Sequence, residues 1–152
     1  MRVNKYNVLL EAGVPFLVKE SGENIPGIDT LNQPDKIYEL FKYLGVCQYA
    51  EEHMYMLALG SKCKLLGLFE VSHGTVNASL VSPREILMRA LLCGAAGIVL
   101  VHNHPSGDVT PSEEDIKTTE RMKNACQIMN VELFDHIIVG DGYESLREKY
   151  IL

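Results

Sequence analysis

The sequence lacks several features that would assign it to a specialised class. No apolar run is long enough to span a bilayer, and the first residues, MRVNKYNVLL, lack the pattern of a signal peptide. The four cysteines are scattered without a C-x-x-C pair, which argues against a zinc ribbon and a disulfide framework. Positive charge is scarce, since the net charge is −6, which disfavours a broad surface for nucleic-acid phosphates. We therefore expect a globular cytoplasmic protein with free thiols and no membrane segment.

Apolar periodicity predicts alternating strands and helices along the chain. Strands are expected at 5–10, 15–19, 53–59, 65–71, 97–101 and 131–140, and helices at 34–43, 83–93 and 112–129, with a short strand and a terminal helix over 143–150. Residues 20–33 are expected to form a loop, and Ser82–Glu85 and Thr110–Glu113 have the form of helix capping boxes with Pro at the first helical position. This order predicts an α/β fold, a mixed β-sheet with helices on both faces.

His102, His104, Ser112 and Asp115 form the most informative pattern, within the run VHNHPSGDVTPSEED. The apolar residues before His102 predict a buried strand, and residues two apart on a strand point to the same face. The two imidazoles would therefore lie side by side if the strand continues to His104. Ser112 and Asp115 are expected near the start of the next helix. Imidazole nitrogens and a carboxylate oxygen are the ligands of a catalytic zinc with an open position for water, so the pattern predicts a zinc site.

The same residues resemble the metal motif of the JAMM metalloprotease superfamily, whose domain is called JAB/MPN. The segments HGTVNASLV (73–81), SPREILMRALL (82–92), HNHPSGD (102–108) and DHIIVGDG (135–142) are similar to those of the bacterial RadC family within it. The resemblance covers about residues 45–152, and its helix-hairpin-helix region is not visible, which favours a short form. We therefore expect a β-hairpin and helix extension over 1–44 packed on a RadC-like JAB/MPN domain over 45–152.

A zinc hydrolase also needs a carboxylate that takes a proton from water. Residue chemistry alone leaves Glu51, Glu52, Glu70 and Glu85 open, with Glu85 assigned to its capping box. The resemblance places this base just before a strand that runs beside the metal strand, which selects Glu52, with Glu70 as the alternative. It also implies that Ser112 donates a hydrogen bond to the tetrahedral oxyanion, whereas local capping is the other interpretation of this hydroxyl.

The remaining polar residues are given lesser roles. Asp108 is interpreted as structural or substrate-facing, and His53 and His73 as residues that do not bind metal. His136 is interpreted as a satisfied core or edge histidine, with a contact to a metal ligand or to the substrate left open. The predicted function is a zinc-dependent hydrolase acting on a peptide, amide or isopeptide bond of a peptide or protein substrate. The alternatives are a DNA-associated module with a vestigial site, and a zinc hydrolase acting on nucleic acid or a small amide.

Overall fold

A computed structural model of the protein describes residues 1–74 and 81–149. Segment 75–80, which carries part of the RadC resemblance, and the end of the predicted terminal helix at residue 150 lie outside the described residues. The strands are β1 Arg2–Glu11, β2 Val14–Asn24, β3 His53–Leu59, β4 Leu65–His73, β5 Gly97–Asn103, β6 Glu132–Val139 and β7 Tyr143–Ser145. The helices are α1 Pro34–Tyr43, α2 Pro83–Leu92, α3 Glu113–Ile128 and α4 Leu146–Lys149.

The described strands form one mixed sheet in the order β2-β1-β4-β3-β5-β6-β7. The pairs β1–β4 and β5–β6 are parallel, and the other neighbours are antiparallel. Strand β5, which carries His102, therefore lies inside the sheet, between β3 and β6. Because a central strand is buried on both faces, its apolar run GIVLV is continuous rather than alternating.

Helices cover both faces of the sheet, as the sequence predicts. Alternate residues of the strands pack in two separate hydrophobic clusters, one with α1 and the other with α2 and α3. On β5, Val99 and Val101 belong to the α1 cluster, whereas Ile98 and Leu100 belong to the cluster under α2 and α3. This alternation fixes the face to which each residue at the end of β5 points.

Two expectations outside the site need correction. The predicted loop over 20–33 is wrong for its first five residues, because β2 continues to Asn24 in antiparallel pairing with β1, past a bulge between Lys5 and Tyr6. The predicted capping box Ser82–Glu85 is also wrong. Ser82 is the N-cap of α2 but its side chain makes no capping bond, and the Glu85 carboxylate lies 3.5 Å from Arg89 one turn later.

The start of the chain is part of the same sheet. Met1 backbone groups bond Ile25, and β1 pairs with β4 at Lys5 and Leu68.

None of the helices within 1–74 and 81–149 is long and apolar enough to cross a membrane. All four cysteines are free thiols.

Candidate metal centre

The end of β5 presents both histidines to the face covered by α3. His102 is buried, and the backbone N–H of His104 donates to the Val139 carbonyl at 2.9 Å, so extended pairing with β6 continues to His104. A turn then closes with Gly107 N–H donating to the His104 carbonyl at 3.0 Å, and Gly107 has a φ of 83°, which favours glycine. The ring centroids of His102 and His104 lie 4.8 Å apart, as the predicted side-by-side placement requires.

The predicted capping box Thr110–Glu113 is wrong, because the box at the start of α3 is formed by Ser112 and Asp115, two residues later. Ser112 is the N-cap, and its Oγ accepts the Asp115 backbone N–H at 3.1 Å. In return, Asp115 Oδ2 accepts the Ser112 backbone N–H at 2.8 Å and the Ser112 hydroxyl at 2.6 Å. Thr110 instead belongs to the loop, where its N–H donates to Asp108 Oδ1 at 2.9 Å. The carboxylate at the third helical position completes a reciprocal box and is thereby aimed back at the strand end.

Three side chains converge on one point between β5 and α3. The Nε2 atoms of His102 and His104 lie 3.0 Å apart, and Asp115 oxygens lie 3.2 Å from His102 Nε2 and 3.6 Å from His104 Nε2. These three residues could hold a metal ion. A tetrahedral zinc with bonds of about 2.0–2.1 Å places neighbouring ligand atoms about 3.3 Å apart. The donor set and its spacing therefore fit zinc.

The protonation of the cluster also suits a cation. Burial opposes the charge of Asp115, but hydrogen bonds from His102, His104 and Ser112 outweigh it and hold the pKa of this carboxyl far below its usual range. The hydrogen bond with Asp115 is the main cause that raises the pKa of His104, with smaller contributions that include the charge of Glu52. Asp115 therefore stays ionised and stabilises a positive charge on the neighbouring histidines. A metal ion that binds there can take the place of the proton on these residues.

Glu52 lies next to this centre. Glu52 immediately precedes β3, and the antiparallel register pairs Met54 with His102. If this register is continued by two residues, Glu52 lies opposite His104 on the same face of the sheet. Its effect on the pKa of His104 agrees with this proximity.

Glu70, the alternative base, is engaged elsewhere. Lys5 Nζ lies 3.0 Å from Glu70 Oε2, and His53 Nδ1 lies 2.8 Å from Glu70 Oε1. Burial acts to raise the pKa of Glu70, but these two partners outweigh it and leave the pKa lowered. His73 lies 3.7 Å from the same carboxylate and is largely exposed. Glu70 therefore serves an ion-paired cluster at the β3–β4 end.

Asn103 is a residue of the site that the sequence reasoning missed. It is fully buried between the two histidines in sequence, but it points to the opposite face. Its Oδ1 accepts the His53 backbone N–H at 2.7 Å, and its Nδ2 donates to the Glu51 carbonyl at 2.9 Å. Asn103 thus holds the backbone on both sides of Glu52. The signal available in the sequence was an amide side chain at the end of a segment predicted to be a buried strand, since a buried amide needs hydrogen-bond partners.

His136 and Thr119 form a second group that lies behind His102. Both are fully buried, and His102 Nδ1 lies 2.9 Å from His136 Nε2. Thr119 Oγ1 lies 2.6 Å from His136 Nδ1 and 2.7 Å from the Asp115 carbonyl oxygen. Burial, with the neighbouring His102 next, lowers the pKa of His136 to about 3, so this ring is neutral at pH 7. Of the two contacts left open for His136, the one with a candidate metal ligand, His102, is present, whereas Thr119 was missed.

The other ring nitrogen of His104 is also bonded. His104 Nδ1 donates to the Asp108 carbonyl oxygen at 2.7 Å, because a carbonyl can only accept. Asp108 therefore orients a histidine through its backbone, while its carboxylate shapes the loop through Thr110. This gives the structural interpretation of Asp108 a concrete basis.

Fold and site together define an α/β domain with a His-His-Asp cluster that could hold a metal ion at the end of an interior strand. The family model described as a RadC-like JAB domain matches residues 31–151, and the chain belongs to this family. It is 41% identical over 145 residues to a UPF0758 protein of Pelobacter propionicus, which covers 94% of this chain and 62% of that protein.

Two further relatives show the same extent of similarity. UPF0758 protein TTE0897 of Caldanaerobacter subterraneus is 36% identical over 146 residues, 95% of this chain and 60% of that protein. A UPF0758 protein of Desulfitobacterium hafniense is 42% identical over 127 residues, 80% of this chain and 54% of that protein. The chain thus spans between about half and three fifths of the curated relatives it matches.

Proposed function

We propose that this chain carries a zinc-dependent hydrolase site of JAMM type that cleaves an amide or isopeptide bond in a peptide or protein. The observation that supports this most is the convergence of His102, His104 and Asp115, with Glu52 placed opposite His104 by the register of β3 and β5. When bound, zinc would supply Lewis-acid activation of water and of the scissile carbonyl.

Glu52 is the proposed general base. It would accept a proton from the attacking water and return it to the leaving amine, which is the role of a carboxylate beside a metal centre. Its position is maintained from the other face by Asn103, which bonds the backbone of Glu51 and His53. Glu70 suits this role less well because Lys5 and His53 already occupy its oxygens.

Ser112 is the proposed donor to the oxyanion of the tetrahedral intermediate. In the structure its hydroxyl proton goes to Asp115 Oδ2 at 2.6 Å, and that oxygen also accepts the Ser112 backbone N–H at 2.8 Å. If the hydroxyl turned to a substrate oxyanion, Asp115 Oδ2 would keep the backbone donor. A single hydroxyl can therefore serve the capped helix at rest and the oxyanion during reaction, a role typically worth about 100- to 1,000-fold in rate.

The test is a screen of a peptide and isopeptide library with zinc-loaded protein, run beside Glu52→Gln. The wild type should cleave a subset of the library, and Glu52→Gln should retain zinc and fold but lose cleavage, because only the proton acceptor is removed. Glu70→Gln is the matched control and should keep activity. Loss of activity in Glu70→Gln alone would contradict the assignment of the base.

The DNA-associated alternative has a direct test in the same preparation. With a net charge of −6, we expect duplex DNA to bind no more tightly than the non-specific range of about 10⁻⁴ to 10⁻⁶ M at physiological salt. A nanomolar dissociation constant in an anisotropy titration would favour a DNA-binding module over a peptidase.

A further inference from the structure

The buried hydrogen bonds behind the metal centre have only one consistent direction. Thr119 has a single hydroxyl proton, and its contact with the Asp115 carbonyl oxygen at 2.7 Å must use that proton, because a carbonyl can only accept. The contact of 2.6 Å between Thr119 Oγ1 and His136 Nδ1 must then be donated by the ring N–H. His136 therefore carries its proton on Nδ1.

The direction continues to the metal ligand. His136 is fully buried, and its two ring nitrogens contact Thr119 and His102, neither of which is a carboxylate that would stabilise a second proton. His136 Nε2 is thus an acceptor, and the contact of 2.9 Å must be donated by His102 Nδ1. His102 Nδ1 therefore carries a proton, and in the tautomer with a single ring proton the lone pair of Nε2 faces Asp115 and His104.

We propose that Thr119 and His136 are positioning residues that fix the tautomer of His102 and so keep its Nε2 free to bind a divalent metal ion. The inference rests on the proposed metal centre but not on any substrate or reaction. Partners of this kind orient metal-binding histidines, and their loss typically weakens metal binding by about 10- to 100-fold.

The hydrogen bonds from His102 through His136 and Thr119 end at Asp115, which is itself a candidate metal ligand. Asp115 supplies its carboxylate to the centre and its carbonyl to Thr119, one turn later on α3. His136 belongs to β6, the strand beside β5, so the helix and both strands are tied through Thr119 and His136. His104 obtains the same tautomer independently, through the Asp108 carbonyl. Loss of Thr119 should therefore affect His102 and leave His104 correctly oriented.

Replacement of Thr119 by valine keeps the shape of the side chain and removes the hydroxyl. The His136 Nδ1–H would lose its acceptor, which favours the other His136 tautomer with the proton on Nε2. That proton would face His102 Nδ1 and move the His102 proton to Nε2, where it blocks the metal. Thr119→Ser restores the hydroxyl and should restore the original tautomers.

The experiment uses the full chain and two readouts that need no substrate. The first is the dissociation constant for Zn²⁺ and Co²⁺, measured by competition with a chromophoric chelator. The second is long-range ¹H–¹⁵N NMR of the metal-free protein, which reports the tautomer of each histidine. Wild type and Thr119→Ser should show His102 protonated on Nδ1, and Thr119→Val should show the Nε2 tautomer with metal binding weaker by about 10- to 100-fold.

Ser145→Ala is the matched control. Ser145 is also a buried hydroxyl, and it donates to Asp135 Oδ2 at 2.6 Å, away from the metal ligands. Its loss should lower stability while metal affinity stays within about threefold of wild type, because the histidine tautomers do not depend on it.

Each outcome bears on the proposal. Wild-type affinity in folded Thr119→Val would overturn it, as would an Nε2 tautomer of His102 in the wild type, a measurement that needs no substitution. Equal loss of affinity in Ser145→Ala would assign the effect to general destabilisation and overturn it too. Failure of the wild type to bind any divalent metal would overturn the metal centre itself. A metal dissociation constant that is unchanged in Thr119→Val would overturn only the positioning role.

Discussion

Asn103→Leu removes the two bonds that hold the backbone around Glu52 while keeping the number and branching of the side-chain heavy atoms. The His53 N–H and the Glu51 carbonyl lose partners at 2.7 and 2.9 Å. A buried backbone group without a partner costs about 1–3 kcal/mol. Because both groups are only partly buried, water replaces some of the loss, and we expect about 2–4 kcal/mol in total. For a chain of this size that corresponds to a fall in Tm of roughly 4–16 °C.

The assay combines thermal unfolding with amide hydrogen exchange at His53. Exchange at this amide should accelerate in Asn103→Leu, while zinc content should stay near wild type because the metal ligands lie on the other face of the sheet. Asn32→Leu is the surface control, since Asn32 is exposed, and should change stability by no more than about 0.5 kcal/mol. An unchanged Tm together with unchanged protection of the His53 amide would refute the role given to Asn103.

Three further predictions concern the centre and its surroundings. His104→Ala should lose most of the zinc held by the wild type, measured by elemental analysis, because one of three ligands is removed; retention of about one zinc per chain would contradict the ligand set. Glu70→Gln should cost up to about 1 kcal/mol at pH 7, because the contact with Lys5 is partly exposed. The lowered pKa of Glu70 means that this contribution is present above the unfolded pKa of about 4.3 and is lost as pH falls through the folded pKa, so the stability difference between the two proteins in urea unfolding should shrink as the pH is lowered below about 4.3. Ser112→Ala should lose about 1 kcal/mol as an N-cap and also lower kcat by about 100-fold or more, whereas Thr110→Ala should change neither; a stability loss in Ser112→Ala with full turnover would leave it a cap alone.

The sequence predicts the elements that depend on local patterns. Helix α1 has the predicted bounds, Pro34–Tyr43, because apolar spacing, an initial proline and a left-handed glycine at Gly45 all act within the segment itself. The predicted capping box of α3 was wrong because Thr110 and Ser112 are each followed three residues later by an acidic residue. The choice between them depends on Asp108, whose side chain accepts the Thr110 N–H two residues later and so holds Thr110 in a turn of the loop.

The missed residues of the site act over long distances in sequence. Asn103 bonds residues about fifty positions earlier, and Thr119 reaches His136 across seventeen positions. Such contacts follow from the order of strands in the sheet, in which β3 and β6 flank β5. A single sequence contains the residue types but not this order, so a buried amide or hydroxyl can be noticed without its partner being known.

The spacings within the motif themselves have a structural cause. His102 and His104 are two apart because a strand returns to the same face every second residue. Ser112 and Asp115 are three apart because an N-cap side chain and the third helical residue bond each other's backbone. Since Asp115 Oδ2 already accepts two hydrogen bonds from Ser112, the carboxylate is oriented by the helix start, and Oδ1 is left beside His102. The start of the helix therefore orients the candidate ligand Asp115 before any metal binds. A substitution of the N-cap residue Ser112 should for this reason also move the carboxylate of Asp115 relative to His102.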